Sequence, residues 1–245
     1  MSLLSFKSVS KTVRDGTQDI AVLADVSFEV DPGDYVGLWG RRRSGKSTTL
    51  RLAAGIERPD SGTIIFDGKD IAKMSDDERA LQRRRGGIAL ALLDWTPKGS
   101  RPVVEHVALA FACNRHVSFG EAEVAARRTL KRVGAAEVEY EKTGSLKLSE
   151  RVRVELARAL VCEPRLLLVD EPAMLASPSA SRELYELLRT LGRDKSLAVV
   201  IASQEAHAIE GAPRVFSISD GRVRTTDSRR KVLQFPRASA ENRGA

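Results

Sequence analysis

The chain has 245 residues, with 40 basic against 33 acidic side chains, 42% hydrophobic and 30% charged residues. That is enough to bury a core without metal or disulfide staples, and it excludes a disordered, collagen-like or coiled-coil chain. The apolar runs, such as Ile88 to Leu93 and Leu166 to Val169, fall far short of the ~20 residues of a bilayer span.

The first ten residues lack the charged start and apolar stretch of a signal peptide. Cys113 and Cys162 have no metal-ligand spacing and read as two reduced thiols of a cytosolic protein; His106, His116 and His207 suggest no zinc cluster. Along the chain, Val26 to Val30 and Tyr35 to Trp39 read as strands around an Asp31-Pro32-Gly33-Asp34 turn, in which proline presets φ and glycine tolerates φ > 0. A Gly-punctuated loop, Gly40 to Lys46, leads into a helix over Ser47 to Ala54. Thr63 to Phe66 is a strand entering the Asp67-Gly68 turn. Ser75 with Glu78, and Ser118 with Glu121, are capping boxes opening two helices, the first ending at Arg83-Arg84-Arg85. Residues 94–160 are mainly helical. Leu166 to Val169 is a buried-type strand closed by Asp170, and Leu184, Leu187, Leu188 and Leu191 mark an amphipathic helix over Ser179 to Leu191. Leu197 to Ala202 and Val215 to Ser219 are further strands, and the Arg-rich tail from Thr225 is expected to be poorly ordered. Strands and helices alternate at both ends around a helical block, so the expected fold is α/β with a mostly parallel sheet and an inserted helical subdomain.

Gly40-Arg41-Arg42-Arg43-Ser44-Gly45-Lys46-Ser47 matches G-x-x-x-x-G-K-[ST] at every fixed position, after a strand and before a helix. Backbone N–H groups of such a loop point at phosphate oxygens, and the helix start adds partial positive charge. Lys46 would neutralise the β/γ-phosphates, Ser47 would ligate Mg²⁺, and Thr48 follows in the same turn. The partner motif is Leu166 to Val169 followed by Asp170 and Glu171. Asp170 would hold the ion, and Glu171 would polarise an attacking water as general base. Bound ATP and Mg²⁺ are the expectation.

With these motifs the sequence resembles the ATP-binding subunit of ABC transporters, over Leu3 to Val223, nearest the lipoprotein-release and macrolide-export type. The likeness also rests on Leu52-Ala-Ala-Gly-Ile-Glu-Arg-Pro-Asp-Ser-Gly62, Glu105-His-Val-Ala-Leu109, Ala157-Arg-Ala-Leu160, Asp170-Glu-Pro172 and Ser219-Asp-Gly-Arg222. It implies a P-loop NTPase (RecA-like) core with an N-terminal antiparallel β subdomain and an inserted α-helical subdomain. The ATP-binding domain would be residues 1–223, with core about 1–93 and 161–223, helical subdomain about 94–160 and a basic tail 224–245. It also implies a homo- or heterodimer with another such ATPase sandwiching two ATP molecules. That dimer would dock on membrane permeases at the inner face of the cell membrane, through a surface around residues 94–110.

Several positions depart from the family. Its Leu-Ser-Gly-Gly-Gln signature aligns with Leu146-Lys147-Leu148-Ser149-Glu150, without either glycine; Ser149 is left to cap the helix toward an anion, and Leu148 hinders close approach. The loop glutamine aligns with Leu93, followed by Asp94, and leucine ligates nothing. The switch histidine aligns with Ser203, which hydrogen-bonds but lacks the imidazole's charge. His207, one helical turn on, is a candidate to substitute for it but reads more readily as a surface histidine. The adenine-stacking aromatic aligns near Val13, and the dimer-contact aspartate aligns with Ser177. The three arginines would either add positive field at a triphosphate or fan into solvent; solvent is expected of Arg41 and Arg42, both readings stay open for Arg43, and Arg43, where glycine is frequent, would be strained if its φ is positive.

Two readings stay open: an ATPase powering permeases, supported by Lys46, Ser47, Asp170 and Glu171, and an ATP-binding scaffold without hydrolysis, supported by the missing groups. A nucleic-acid role is not expected. Residues 222–245, with seven basic and two acidic side chains, carry five of the seven net positive charges. The helical insert is too short for the long coiled coil of a nucleic-acid-bound relative. The tail is expected beside anionic lipid or a membrane partner.

Overall fold

The computed structural model describes residues 1–84, 87–92, 99–115, 117–170 and 178–227. The chain runs β1 (Leu4–Asp15), β2 (Gln18–Val30), β3 (Tyr35–Trp39), α1 (Lys46–Ala53), β4 (Ser61–Phe66), β5 (Lys69–Asp70), α2 (Asp76–Arg84) and β6 (Ile88–Leu92). It continues through α3 (Val103–Arg115), α4 (Phe119–Arg132), α5 (Leu148–Leu160), β7 (Leu166–Asp170), α6 (Pro178–Leu191), β8 (Ala198–Ser203), β9 (Arg214–Ser219) and β10 (Arg222–Asp227).

Two sheets form, an antiparallel one ordered β2-β1-β4-β5 and a mostly parallel one ordered β10-β9-β3-β8-β7-β6. The second sheet explains the near-continuous apolar strands, because both of its faces are covered. Leu166 and Leu168 of β7 pack with Val36, Leu38, Leu50 and the antiparallel sheet's Phe6, Phe28 and Phe66. The alternate residues Leu167 and Val169 pack with Leu156 and Leu160 of α5 and with Leu184 and Leu188 of α6. A period of two thus sends successive β7 side chains into two separate cores. Three helices, α3 to α5, lie between β6 and β7 in the chain and contact one another. Among the described residues no helix is long and apolar enough to cross a membrane.

Both expected capping boxes are formed. Ser75 N–H donates to Glu78 at 2.8 Å while Ser75 Oγ accepts from Glu78 N–H. Ser118 and Glu121 do the same at the start of α4. Four expectations shift. The first sheet contains long β1 and β2 strands, of which the sequence shows only the end. Ile88–Leu92 is an edge strand parallel to β7, not merely an apolar run. β10 extends through Thr225 and Thr226 to Asp227, paired with Phe216, Val215 and Arg214 of β9, so order continues past the point where the tail was expected to begin. Finally, Ser149 does not cap α5: the helix starts at Leu148, and Lys147 is the residue before it. Half of a capping box forms there: the Glu150 carboxylate accepts the Lys147 N–H at 2.8 Å, while lysine has no side-chain acceptor to return to the Glu150 N–H.

Candidate nucleotide site

The register of the parallel sheet builds the site. Trp39 at the end of β3 lies beside Ser203 at the end of β8. Ala202 lies beside Asp170 at the end of β7, and Asp170 beside Leu92 at the end of β6. Four strands therefore finish along one carboxyl edge, where open α/β sheets bind ligands. The phosphate loop leaves from Trp39, whose indole N–H donates to Gln204 O at 3.1 Å. Gly40 N–H donates to Ser203 O, so the loop's first residue is tied to the neighbouring strand.

The loop closes tightly. A Cβ on Gly40 would come within 2.4 Å of Ser44 Oγ and 2.6 Å of Ile218 O. Gly45 is the residue before α1 and has φ 102°, and no acidic side chain lies in the helix's first turn to quench its positive end. Lys46 is 3% exposed, and its ammonium donates to Gly40 O and Arg41 O, each at 3.0 Å. Ser44 Oγ is buried without a hydrogen-bond partner among the described residues. Ser47 Oγ donates to Asp170 Oδ1 at 3.2 Å, across 123 positions of sequence. Thr48 is buried and accepts from Arg51 Nη2 through its hydroxyl. Arg41, Arg42 and Arg43 are exposed, and Arg43 has φ 63°, the left-handed backbone that strains a bulky residue.

These features fit a magnesium nucleotide. A hydroxyl and a carboxylate at hydrogen-bond distance form a hard oxygen pair suited to Mg²⁺. The orphaned Ser44 hydroxyl, the Lys46 ammonium and the start of α1 form an anion cradle.

Other positions named from sequence lie elsewhere. Ser203 is fully buried; its hydroxyl accepts Glu205 N–H at 3.0 Å and its carbonyl holds Gly40. It anchors the loop from below. His207 is half exposed, with its ring edge-on to Tyr185 and Nδ1 3.9 Å from Glu205. Val13 is exposed opposite Ile20 on β1 and β2. Leu146 is buried, and Lys147, Leu148, Ser149 and Glu150 form the start of α5. Glu171, Leu93, Asp94, Ser177 and the tail past Asp227 lie outside the described residues. Sequence reasoning did not find the backing of the loop by Val22 and Leu23 of β2, which stand under 3 Å from a Cβ built on Gly45; nothing in their residue types signals it.

The pattern of the ABC transporter family matches residues 23–174. The chain is 30% identical over 223 residues to the macrolide export ATP-binding/permease protein MacB of Syntrophobacter fumaroxidans, covering 90% of this chain but 31% of that protein. It is 28% identical over 236 residues to the methionine import ATP-binding protein MetN 1 of Yersinia pestis, covering 96% of this chain and 68% of the relative. Among solved structures it superposes on the dimeric ATP-binding cassette MJ0796 bound to ADP and Pi with a TM-score of 0.83 at 25% identity, covering 91% of this chain and 98% of that one. It superposes on cbiO1 of Clostridium perfringens, part of the cbiONQ ABC transporter complex, with a TM-score of 0.79 at 25% identity, covering 92% and 88%.

Proposed function

This chain belongs to the ABC transporter family, and we propose that it is an ATP-binding subunit whose nucleotide-driven dimerisation is coupled to membrane permease subunits. The observation that carries this reading is the Ser47–Asp170 contact of 3.2 Å beside the buried Lys46 ammonium, at the carboxyl edge of the parallel sheet. Gly40, Arg41, Arg42, Arg43, Ser44, Gly45, Lys46, Ser47 and Thr48 would form the ATP cradle, with Ser47 and Asp170 holding Mg²⁺. The metal, when bound, neutralises charge on the terminal phosphates. Lys46 exchanges its two carbonyl acceptors for phosphate oxygens, a gain because charge-assisted hydrogen bonds are stronger than neutral ones. Ser203, by fixing Gly40, holds the loop open toward the ligand. Glu171, one residue past Asp170, would be the base for water.

Hydrolysis would be slow. With Leu93 and Ser203 at positions where the family uses glutamine and histidine, two groups that stabilise developing charge are missing, and such preorganised stabilisation is usually the largest catalytic contribution. The α5 start adds to this. Glu150 occupies the Lys147 N–H and sets a carboxylate where Leu148 and Ser149 replace two glycines. In a sandwich dimer that end would serve the other subunit's phosphate poorly. The helical lobe around 94–160, inserted between core segments 1–93 and 161–223, would face the permeases, with the chain peripheral on the inner side of the membrane. The partner would be a second copy or a different ATPase subunit.

A second reading, an ATP-binding scaffold that does not hydrolyse, is favoured by the complete burial of Ser203, an uncharged group at the position where the family uses histidine. The two are separated by steady-state phosphate release from the purified chain and from Glu171→Gln. A lower rate in the variant supports the ATPase; equal rates support the scaffold. ATP affinity unchanged by Lys46→Ala would overturn the cradle in both.

A further inference from the structure

The phosphate loop carries three consecutive arginines that the rest of the fold leaves unengaged. Several described arginines are tied to carboxylates: Arg58 to Asp76, Arg128 to Glu163, Arg132 to Asp194, Arg153 to Glu183 and Arg214 to Asp34. Arg41, Arg42 and Arg43 are exposed and make no side-chain hydrogen bond or ion pair among the described residues. They do not brace the loop, and Arg43 burdens it, since its φ of 63° is a conformation that glycine adopts freely and a branched-out side chain does not. A strained residue with no internal partner, at the mouth of an anion cradle, is the kind of outlier from which a functional role is inferred.

Their place along the phosphates follows from Lys46. Its ammonium, which would reach the terminal phosphates, sits against Gly40 O and Arg41 O at 3.0 Å. The arginine run therefore begins at the ammonium end of the cradle, away from the end nearest the base and sugar. Guanidinium is always charged and presents a planar fork of donors that matches phosphate oxygens. The carboxylate shown at the site, Asp170, is turned to Ser47.

We propose that Arg42 and Arg43 are specificity-determining residues that select ligands by the charge of their phosphate chain, favouring triphosphate over diphosphate. The proposal rests on the ATP-binding reading above and adds a discriminating element to it. With an uncharged serine at position 203, the arginines of the phosphate loop supply the charge that distinguishes a terminal phosphate. Each would add a charge-assisted contact present with the triphosphate and absent with the diphosphate, and salt would weaken it because both side chains stand in solvent.

The test is displacement of a fluorescent ADP analogue by ATP, ADP, tripolyphosphate and pyrophosphate, at low and high salt, on the full chain. The variants are the doubles Arg42→Gln/Arg43→Gly and Arg42→Lys/Arg43→Lys, with Lys46→Ala beside them. The first double is expected to lose about tenfold in the ATP-over-ADP preference and in the tripolyphosphate-over-pyrophosphate preference, as two exposed charge contacts would. Its salt dependence should flatten while ADP affinity changes less. The lysine double should keep part of the preference, since charge remains without the fork. Because Arg43→Gly relieves a strained backbone, its melting temperature should hold or rise, which separates lost selectivity from lost folding. If wild type binds ATP, Lys46→Ala abolishes binding and the arginine doubles keep the wild-type preference and salt slope, the selectivity role is wrong while the cradle stands. If the wild-type chain binds no nucleotide, both fall together.

Discussion

A single methyl group at Gly45 should damage both the fold and the site. Gly45 has φ 102°, and a Cβ there would lie 2.8 Å from Leu23 Cδ2 and 2.9 Å from Val22 O. The leucine tip can rotate away, but the carbonyl belongs to β2, and that stretch is held by Ala24 N–H donating to Gly221 O at 2.8 Å. Gly45 cannot retreat either, because its own carbonyl accepts from Thr49 N–H and Thr49 Oγ1 at 2.8 and 2.9 Å. The left-handed backbone costs an L-residue ~1–2 kcal/mol, and forced overpacking adds ~1–3 kcal/mol. At about 2–4 °C per kcal/mol for a domain of this size, Gly45→Ala should melt roughly 5–15 °C below wild type. Gly16 is the control: its φ is 61° but nothing stands within 4 Å of a built Cβ, so Gly16→Ala should bear only the backbone cost. Thermal melts of both variants, with and without ATP and Mg²⁺, check this. Gly45→Ala should also lose the stabilisation that ATP gives. If it melts no lower than Gly16→Ala and keeps its ATP shift, the close contact between β2 and the loop is not what shapes the cradle.

Three other variants address separate links. Asp170→Asn keeps the shape at Ser47 but removes the charge, so calorimetric ATP affinity should become indifferent to Mg²⁺; an undiminished Mg²⁺ effect would move the ion elsewhere. Glu155 is 1% exposed and binds Arg158 through two hydrogen bonds of 2.8 and 2.6 Å. Since breaking a buried pair costs ~3–5 kcal/mol and Arg158 is partly in solvent, Glu155→Leu should lower stability by about 2–4 kcal/mol in urea unfolding, and adding Arg158→Leu should restore much of it. Burial first, then Arg158 and Arg101, push the His106 imidazole down to about 4. The unfolded chain takes up this proton near its ordinary value of about 6.5 while the native chain stays neutral, so stability should fall as pH drops from there toward 4. His106→Gln should flatten the urea midpoint across that window, and an NMR titration of His106 near its ordinary value would contradict the burial argument.

How much of this was readable before the structure depended on how each segment is buried. β3 and β7 are apolar on both faces and end at Gly40 and Asp170, so their pattern and their punctuation agree. β1 and β2 are not like this. Their pairing shifts register between Phe6 and Val9, between Val9 and Lys11 and between Lys11 and Thr12, and Ser8 and Asp25 take positive φ. Each irregularity resets the alternation of side chains, so only Val26 to Val30 at the end of β2 keeps the period of two that identifies a strand. The start of α5 misled for a different reason. Ser149 has the chemistry of a cap, yet Glu150 reaches back to the Lys147 N–H and the first turn starts two residues earlier than a serine cap would require. The contact between Ser47 and Asp170 was expected from two motifs, but the level at which they meet comes only from the pairing of β7 with β8 and β8 with β3.

That same register explains why the binding half and the reacting half of the site differ in how closely they keep to the family. Gly40, Gly45, Lys46 and Asp170 are fixed by contacts inside the fold: Ser203 O and Ile218 O around Gly40, β2 against Gly45, two loop carbonyls on Lys46, and the end of a fully covered strand under Asp170. A change at any of them disturbs core packing as well as ligand contact, as the Gly45 arithmetic shows. Leu93 and Glu171 are the first residues past β6 and β7, and Ser203 is the last of β8. Serine at 203 satisfies the loop through its backbone carbonyl, which any residue supplies. The fold therefore holds the phosphate cradle in place whether or not the neighbouring groups complete an ATPase, while Ser203→His, which forces a ring into a fully buried position, should cost about 1–3 kcal/mol of stability. Faster phosphate release in that variant, despite a lower melting temperature, is the result expected if the cradle is sound and the missing imidazole limits turnover. A loss of stability well beyond that range would mean that the buried serine hydroxyl, through its bond to Glu205 N–H, is part of what holds the sheet edge together.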